Sequence, residues 1–180
     1  MTTLSHWRLF MSNISDIPGE VRWEIATRAA NYQSVAYDML VRQIIGDKID
    51  EIWKAIMTEG GKESRAMAES LGLPSVNAIE VDSALGSIST ILLGPELISE
   101  LVEEDKERVL GRITSCPMLN AHRRFEPGTM EGTPAHCQAF CQSAVESLNP
   151  RFTIRYLKRM CTGDPSCEYI ILPREQSGRE

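Results

Sequence analysis

Apolar side chains recur every three or four residues through the first half of the chain, a spacing that predicts helices. The longest such segment runs from residue 20 to about residue 57, and Gly46 either divides it into two helices or bends a single one. Shorter ones cover Lys62–Leu71 and the residues after Asn77, which has a side chain suited to a helix N-cap. Residues 1–94 are therefore predicted to be helical.

Two glycines interrupt this pattern, in Gly60-Gly61-Lys62. The triplet lacks the earlier glycine and the preceding strand of a phosphate-binding loop, so we expect a break between two helices. A long apolar stripe before it is suited either to the core or to a homodimer formed through the N-terminal helices, and we favour the core. The stripe consists of Tyr37, Val41, Ile44, Ile45, Ile49, Ile52, Trp53 and Ile56.

In the second half the pattern changes to short segments rich in Ile, Val and Leu, which are typical of strands. Two of them, Leu97–Glu103 and Arg108–Ser115, predict a hairpin, and two more begin at Phe152 and Cys167. A helical pattern over Pro134–Leu148 separates the two pairs. This order predicts an α+β fold: a helical N-terminal half, then an antiparallel sheet of about four strands with helices packed on one face.

At 180 residues the chain is long enough for a single domain with its own core. We divide it into the helical part, a part from 95 to 173 with the sheet and a cysteine-bearing helix, and a polar tail over 174–180. The net charge of −6 argues against nucleic acid as a partner, because phosphate binding needs a concentrated basic face. No apolar run approaches the roughly 20 residues of a membrane span. Without a signal-peptide pattern, the odd cysteine count indicates a reducing compartment, so we expect a cytoplasmic protein.

All five cysteines lie between residues 116 and 167, and the first 115 residues contain none. Cysteines that served only as small core residues would be spread more evenly, so the clustering indicates a site. Cys137 and Cys141 are four residues apart and share one face of the predicted helix, while Cys116 and Cys167 lie at strand ends. Because thiolate ligands must converge, these four are the candidate ligands of a zinc ion or an iron–sulfur cluster. The spacing does not choose between the two.

Three other residues are candidates for proton transfer or substrate binding. His136 points about 100° away from the neighbouring cysteine, so it reaches a site only if that site wraps around the helix. His122 is interpreted either as a solvated helix residue or as a group facing a substrate, and Glu126 as an acid–base group or a turn residue. Cys161 is interpreted as a packing residue rather than a redox partner of Cys167, since no nearby charge is placed to lower its pKa.

About the last 85 residues contain short motifs that resemble those of a known protein family. These motifs are Cys116-Pro117, Cys137, Asn149-Pro150, Gly163-Asp164 and Cys167-Glu168-Tyr169. They resemble the C-terminal pattern of the L-2-amino-thiazoline-4-carboxylic acid hydrolase family. The final hairpin is also similar to the end of 4-vinyl-reductase-type small-molecule-binding domains. The resemblance implies an α+β fold with either hydrolytic opening of a small sulfur-containing ring, or a ligand pocket with metal or redox-active cysteines.

Two classes of function follow. As a hydrolase that opens a cyclic amidine or thiazoline, the protein would use a thiolate-held metal to activate water. His136 or Glu126 would move the proton, and His122 or Arg123 would hold a substrate carboxylate. In the alternative, a pocket between sheet and helices binds a small apolar or heterocyclic molecule without catalysis, and the cysteines sense a metal or the redox state. The hydrolase is the first hypothesis.

Overall fold

The computed structural model of the chain describes residues 13–125 and 133–175, and it has the predicted α+β fold. Two short 3-10 turns occur at Ile14–Asp16 and Met160–Thr162. The helices are α1 (Gly19–Ile45), α2 (Lys48–Lys62), α3 (Ser64–Leu71), α4 (Ala78–Leu93), α5 (Pro117–Phe125) and α6 (Thr133–Leu148). The strands are β1 (Ile98–Glu104), β2 (Val109–Ser115), β3 (Phe152–Lys158) and β4 (Cys167–Pro173). None of the described helices is long and apolar enough to cross a bilayer.

Local residue types explain where several helices begin and end. Gly46 ends α1 with a φ of 62°, a left-handed conformation that costs a glycine little because it has no Cβ. Asn77 caps α4, since its side-chain oxygen accepts a 3.1 Å hydrogen bond from the backbone N–H of Glu80. The Glu80 carboxylate in turn accepts a 2.7 Å bond from the N–H of Val76. Both predicted boundaries are confirmed.

The predicted break at the glycine pair is wrong, because α2 continues through both glycines to Lys62. A Cβ on Gly61 would lie 2.6 Å from the backbone oxygen of Phe140 and 2.7 Å from the Cβ of Ser143, both in α6. Gly61 therefore lets α2 and α6 pack backbone to backbone. This close packing outweighs the roughly 1 kcal/mol that a glycine costs inside a helix.

The sheet is antiparallel throughout and has the order β1-β2-β4-β3. Its outer face carries ion pairs that cross all four strands. Arg112 of β2 contacts Glu100 of β1 at 3.0 Å and Glu168 of β4 at 3.4 Å. Lys158 of β3 contacts Glu168 at 3.0 Å. This face is polar, so the helices cover only the inner one, as predicted.

The main core lies between the inner face of the sheet and the helices α4 and α6. Its fully buried members include Val81 and Ile88 of α4, Val145 of α6, and Phe152 and Ile171 of the sheet. The helices do not cover the strand β1, since every one of its residues is exposed. The sheet therefore encloses a core mainly through β2, β3 and β4.

The apolar stripe of the N-terminal half is only partly buried. Ile49 is 1% exposed, in agreement with the preference for the core, but Ile44 is 82% exposed and Tyr37 is 60% exposed. The short helix α5, which carries His122, begins at Pro117. Proline is well suited to the first helical position, where its missing N–H leaves no hydrogen bond unmade.

Candidate functional site

The five cysteines come from different parts of the fold and meet in one region. Cys116 lies between β2 and α5, Cys137 and Cys141 lie in α6, Cys161 lies in the second 3-10 turn, and Cys167 begins β4. Charges on Cys137 and Cys116 each act to raise the pKa of Cys161 and of Cys167, so the thiols are close enough to interact electrostatically. The fold thus brings together residues that are far apart in the chain.

Tyr156 of β3 connects the two cysteines of α6. Its hydroxyl donates a 3.1 Å hydrogen bond to Sγ of Cys141 and lies 3.6 Å from Sγ of Cys137. Cys137 is exposed as a residue although its sulfur is buried, and Cys141 is buried as a whole, so the two sulfurs lie at the edge of the core. Tyr156 is not among the predicted site residues. The sequence does contain a signal for it. Every second residue of β3 faces inward, and Tyr156 follows Phe152 and Ile154 in that alternation.

The thiols of Cys137 and Cys141 have pKa values that move in opposite directions. The hydrogen bond with Cys137 lowers the pKa of Cys141, and the hydroxyl of Tyr156 contributes in the same direction against the effect of burial. The same hydrogen bond, followed by burial of the sulfur, raises the pKa of Cys137 well above its ordinary value. The two thiols therefore titrate as a pair, and the hydroxyl of Tyr156 is placed to stabilise a thiolate on Cys141.

The other three cysteines are held as thiols by burial. It raises the pKa of Cys116, and it raises the pKa of Cys161 to about 12 and that of Cys167 to about 11. Cys161 also packs against a small apolar cluster of Val35, Leu119 and Ala121, as does Cys116. Its position fits the interpretation of Cys161 as a packing residue.

The cysteine sulfurs do not surround a single point. Within residues 13–125 and 135–175, no three of them lie within 4.8 Å of one another. Tetrahedral ligation with bonds near 2.3 Å needs sulfurs about 3.8 Å apart. Ligation of a single zinc ion by Cys116, Cys137, Cys141 and Cys167 therefore requires side-chain rotations, and the metal site as a whole stays a prediction.

In the described part of the chain, one set of three possible metal ligands does lie within 4.8 Å: Asp38, Asp50 and His136. This set already holds a cation, because Arg42 approaches Asp50 at 2.6 Å and Asp38 at 3.1 Å. Hydrogen bonding to Arg42 lowers the pKa of Asp50. Nε2 of His136 lies 3.1 Å from the same Asp50 carboxylate. The cluster ties α1, α2 and α6 together, and it places His136 in an ion-pair network.

The other two predicted catalytic residues have different outcomes. His122 is 9% exposed, so its interpretation as a solvated helix residue is wrong. Its Nδ1 atom is buried and has no hydrogen-bond partner among the described residues. Glu126 lies outside the described residues.

A buried polar pair that the sequence patterns did not predict lies in the main core. The hydroxyl of Tyr169 in β4 donates a 2.7 Å hydrogen bond to Oδ1 of Asp82 in α4, which is 8% exposed. Burial raises the pKa of Asp82, and the bond from Tyr169 only partly opposes this. The signal in the sequence is that Asp82, a carboxylate, lies beside the apolar stripe of Val81 and Leu85, where a charged side chain is unusual.

Gly111 of β2 provides the space for Tyr169. A Cβ at this position would lie 2.3 Å from Cζ of Tyr169 and 2.4 Å from its hydroxyl oxygen. The ring of Tyr169 is also 6.0 Å from the ring of Tyr156, measured between centroids. The two tyrosines therefore place the Asp82 carboxylate and the cysteine region side by side on the inner face.

No family model matches the chain, and no curated protein matches it either. A solved structure does match: the phenol-responsive sensory domain of the transcription activator PoxR, crystallised with phenol. The match has a TM-score of 0.61 and 12% sequence identity, and it covers 81% of this chain and 75% of that chain. The two share a fold. At 12% identity the match shows the fold alone and not a shared function. The resemblance to the hydrolase family stays a prediction.

Proposed function

We propose that this chain is a small-molecule-binding domain of the sensory kind, whose ligand is a small aromatic or heterocyclic compound with a hydroxyl group. The shared fold with a domain described as phenol-responsive supports this class of function. It favours the binding alternative over the hydrolase. The ligand site that we propose lies beside Asp82 and Tyr169, where the main core is closely packed, so a ligand would enter by displacing core side chains.

The observation that carries the proposal is the buried contact between Asp82 and Tyr169. A carboxylate in an apolar core is costly unless it is well hydrogen-bonded, and buried ionisable groups of this kind are frequent at functional sites. Tyr169 is itself a phenol, and its hydroxyl donates to Asp82 at 2.7 Å. A phenolic ligand placed beside it would donate to the same carboxylate in the same way.

The cysteines provide a second component of the proposal. Cys116, Cys137, Cys141 and Cys167 would hold a zinc ion or an iron–sulfur cluster, for which a set of thiolates is a suitable group of ligands. Bound there, the metal would cross-link the β2–α5 junction, α6 and β4. Tyr156 contacts Cys141 and lies beside Tyr169, so it would couple metal binding at the cysteines to ligand binding at Asp82.

The hydrolase hypothesis has weaker support. In the described residues, His136 bonds to Asp50 rather than to a thiol, and Nδ1 of His122 bonds to no group. Opening of a small ring therefore stays a prediction that only an assay with the thiazoline substrate tests.

Isothermal titration calorimetry with phenol, and with toluene as the analogue without a hydroxyl, tests the proposed function. We expect phenol to bind about tenfold or more tightly than toluene, because only phenol can donate a hydrogen bond to Asp82 beside the one from Tyr169. In Asp82→Leu this preference should disappear, whereas Asp47→Leu, at a side chain that is 95% exposed, should keep it. Equal binding of the two compounds by the unaltered protein, or no binding of either at millimolar concentration, would overturn the proposal.

A further inference from the structure

Arg159 follows the last residue of β3 and has no carboxylate partner in the described part of the chain. Three arginines in that part are not exposed, and they are Arg42, Arg112 and Arg159. Arg42 lies 2.6 Å from Asp50, and Arg112 lies 3.4 Å from Glu168. No carboxylate oxygen of a described residue lies within 4.0 Å of the Arg159 guanidinium. A half-buried charge without an opposite charge is costly, so this side chain lacks an anion.

One nitrogen of this guanidinium is buried and unused. Nε of Arg159 has no hydrogen-bond partner among the described residues, whereas Nη2 donates a 2.8 Å hydrogen bond to Oε1 of Gln138 in α6. Cζ of Arg159 lies 5.5 Å from the centroid of the Tyr156 ring, and a ring face attracts a cation without neutralising it. The N–H groups of a guanidinium form a fork that binds a carboxylate through two parallel hydrogen bonds. Arg159 therefore has donors available for an anion.

The backbone of Arg159 is held on both sides. Its N–H donates a 2.7 Å hydrogen bond to Oδ2 of Asp164. Its carbonyl oxygen accepts a 3.1 Å bond from the N–H of Thr162 and a 2.9 Å bond from the hydroxyl of the same residue. Asp164 therefore binds the backbone and does not neutralise the guanidinium. A side chain on such a fixed backbone loses less freedom when it binds a ligand.

The nearby cysteines do not supply the missing charge. Burial raises the pKa of Cys167 to about 11, and Arg159 opposes this only in part. The hydrogen bond with Cys141 raises the pKa of Cys137 well above its ordinary value, again against the effect of Arg159. Both are therefore neutral thiols at pH 7 when no metal is bound. In the described residues Sγ of Cys167 accepts a hydrogen bond from the N–H of Met160, and no sulfur accepts one from Arg159.

We propose that Arg159, together with Gln138 and the ring of Tyr156, binds the carboxylate of a small aromatic acid. The carboxylate would accept hydrogen bonds from the guanidinium and from the amide nitrogen of Gln138, whose oxygen is already paired. Both side chains are only half-buried, so a ligand reaches them from solvent. The ring of Tyr156 lies 6.0 Å from that of Tyr169, so the site adjoins the one proposed at Asp82. It would extend the proposed function, and it rests on that function for the aromatic ring of the ligand.

Isothermal titration calorimetry at pH 7 with benzoate, and with benzamide as its neutral analogue of the same shape, tests this site. We expect benzoate to bind about tenfold or more tightly, because only its carboxylate is charged and pairs with Arg159. Arg159→Gln should abolish the preference, and Arg159→Lys, which keeps the charge but not the fork, should keep part of it. The matched control is Arg155→Gln, at an exposed arginine of β3 that lies 3.7 Å from Glu175, and it should keep the whole preference.

Melting temperatures of the same variants separate binding from a structural role. Arg159→Gln should melt no lower than the unaltered protein, because it removes a charge that has no partner. A marked fall in its melting temperature would overturn the proposal. So would equal binding of benzoate and benzamide by the unaltered protein, no binding of either at millimolar concentration, or an equal loss of preference in Arg155→Gln.

Two further measurements distinguish this site from the rest of the proposed function. Asp82→Leu should keep the preference for benzoate, because the two sites recognise different groups. Equal binding of phenol and toluene beside a clear preference for benzoate would overturn the role of Asp82 and support that of Arg159. Absence of the benzoate preference, with a lower metal content in Arg159→Gln than in Arg155→Gln, would overturn the carboxylate site and assign Arg159 to a metal–thiolate centre.

Discussion

The hydroxyl of Tyr169 donates a 2.7 Å hydrogen bond to the carboxylate of Asp82 inside the main core. Burial raises the pKa of Asp82, and it also raises the pKa of Tyr169 well above its ordinary range. The core therefore disfavours the charged form of both groups. One hydrogen bond offsets part of this cost, which makes the pair sensitive both to pH and to any new group that donates to Asp82.

Replacing Asp82 with Asn should remove a pH dependence of stability. The raised pKa means that the folded chain keeps the Asp82 proton to a higher pH than the unfolded chain does. Protonated Asp82 therefore stabilises the fold fully at a pH below its pKa in the unfolded chain, which is near 3.9. This stabilisation is lost as the pH rises through the pKa of Asp82 in the folded chain. Urea unfolding from pH 3 to 8 should therefore show Asp82→Asn gaining about 1 kcal/mol or more on the unaltered protein as pH rises. A difference that stays constant over this range would contradict the assignment.

Adding a methyl group at Gly111 should displace Tyr169. The new Cβ would lie 2.3 Å from the ring, so the ring must shift and the bond to Asp82 must lengthen. We expect Gly111→Ala to lower the free energy of unfolding by about 1–3 kcal/mol and to change the near-ultraviolet circular dichroism of tyrosine.

Gly86 in α4 is the matched control, because a Cβ there meets no atom within 4 Å. Gly86→Ala should raise stability by about 0.5–1 kcal/mol, since alanine is the better helix former. Two glycines changed to the same residue should thus have effects of opposite sign. A tolerated Gly111→Ala would mean that Tyr169 has space elsewhere.

The ion pairs of Asp50 should stabilise the protein in a pH-dependent way. Hydrogen bonding to Arg42 lowers the pKa of Asp50 in the folded chain. The ionised carboxylate therefore stabilises the fold at a pH above the pKa of Asp50 in the unfolded chain. This stabilisation is lost as the pH falls through its pKa in the folded chain. We expect Asp50→Asn to cost about 1–3 kcal/mol at pH 7 and less near pH 3. Asp47 also contacts Arg42, at 3.3 Å, but its side chain is 95% exposed. Asp47→Asn should therefore change stability by less than about 0.5 kcal/mol, and an equal loss in the two variants would contradict this account.

Metal content should distinguish two cysteines of the same region. Cys137→Ser is expected to abolish bound metal while the helical circular dichroism stays nearly unchanged, because a serine hydroxyl remains protonated and is a poor ligand for soft metals. Cys161→Ser, outside the predicted set of ligands, should keep the metal. Elemental analysis and a visible spectrum of anaerobically purified protein measure this. Full metal content in Cys137→Ser, together with a lowered melting temperature, would show that Cys137 only packs.

The elements of the fold could be predicted wherever their cause is local. Gly46 and Asn77 act through their own backbone and side chain, so the ends of α1 and α4 follow from residue type alone. Gly61 could not be interpreted in this way. Its role depends on a partner helix that begins about 70 residues later, and without that partner a glycine pair indicates a break.

The candidate site was predictable only in part for the same reason. The clustering of cysteines is visible in the chain, and the fold brings those residues into one region, whose role as a site stays a prediction. Asp82 and Tyr169 are 87 residues apart, so their contact exists only after α4 has packed on β4. Tyr156 likewise becomes a site residue only when α6 brings Cys141 against it. Long-range packing, which no local pattern encodes, assembles these polar contacts.

The sheet order has a consequence for how the chain acquires its structure. The strand β4 pairs with β2 on one side and with β3 on the other, so one of the two inner strands is the last of the four to be synthesised. Until Cys167–Pro173 leaves the ribosome, β2 and β3 each present an unpaired edge, and such edges promote aggregation. Sheet closure joins segments that are distant in the chain, which makes folding slow. Nascent chains that stop before Cys167 should therefore depend on chaperones, whereas chains that extend past Pro173 should fold in one late, cooperative step.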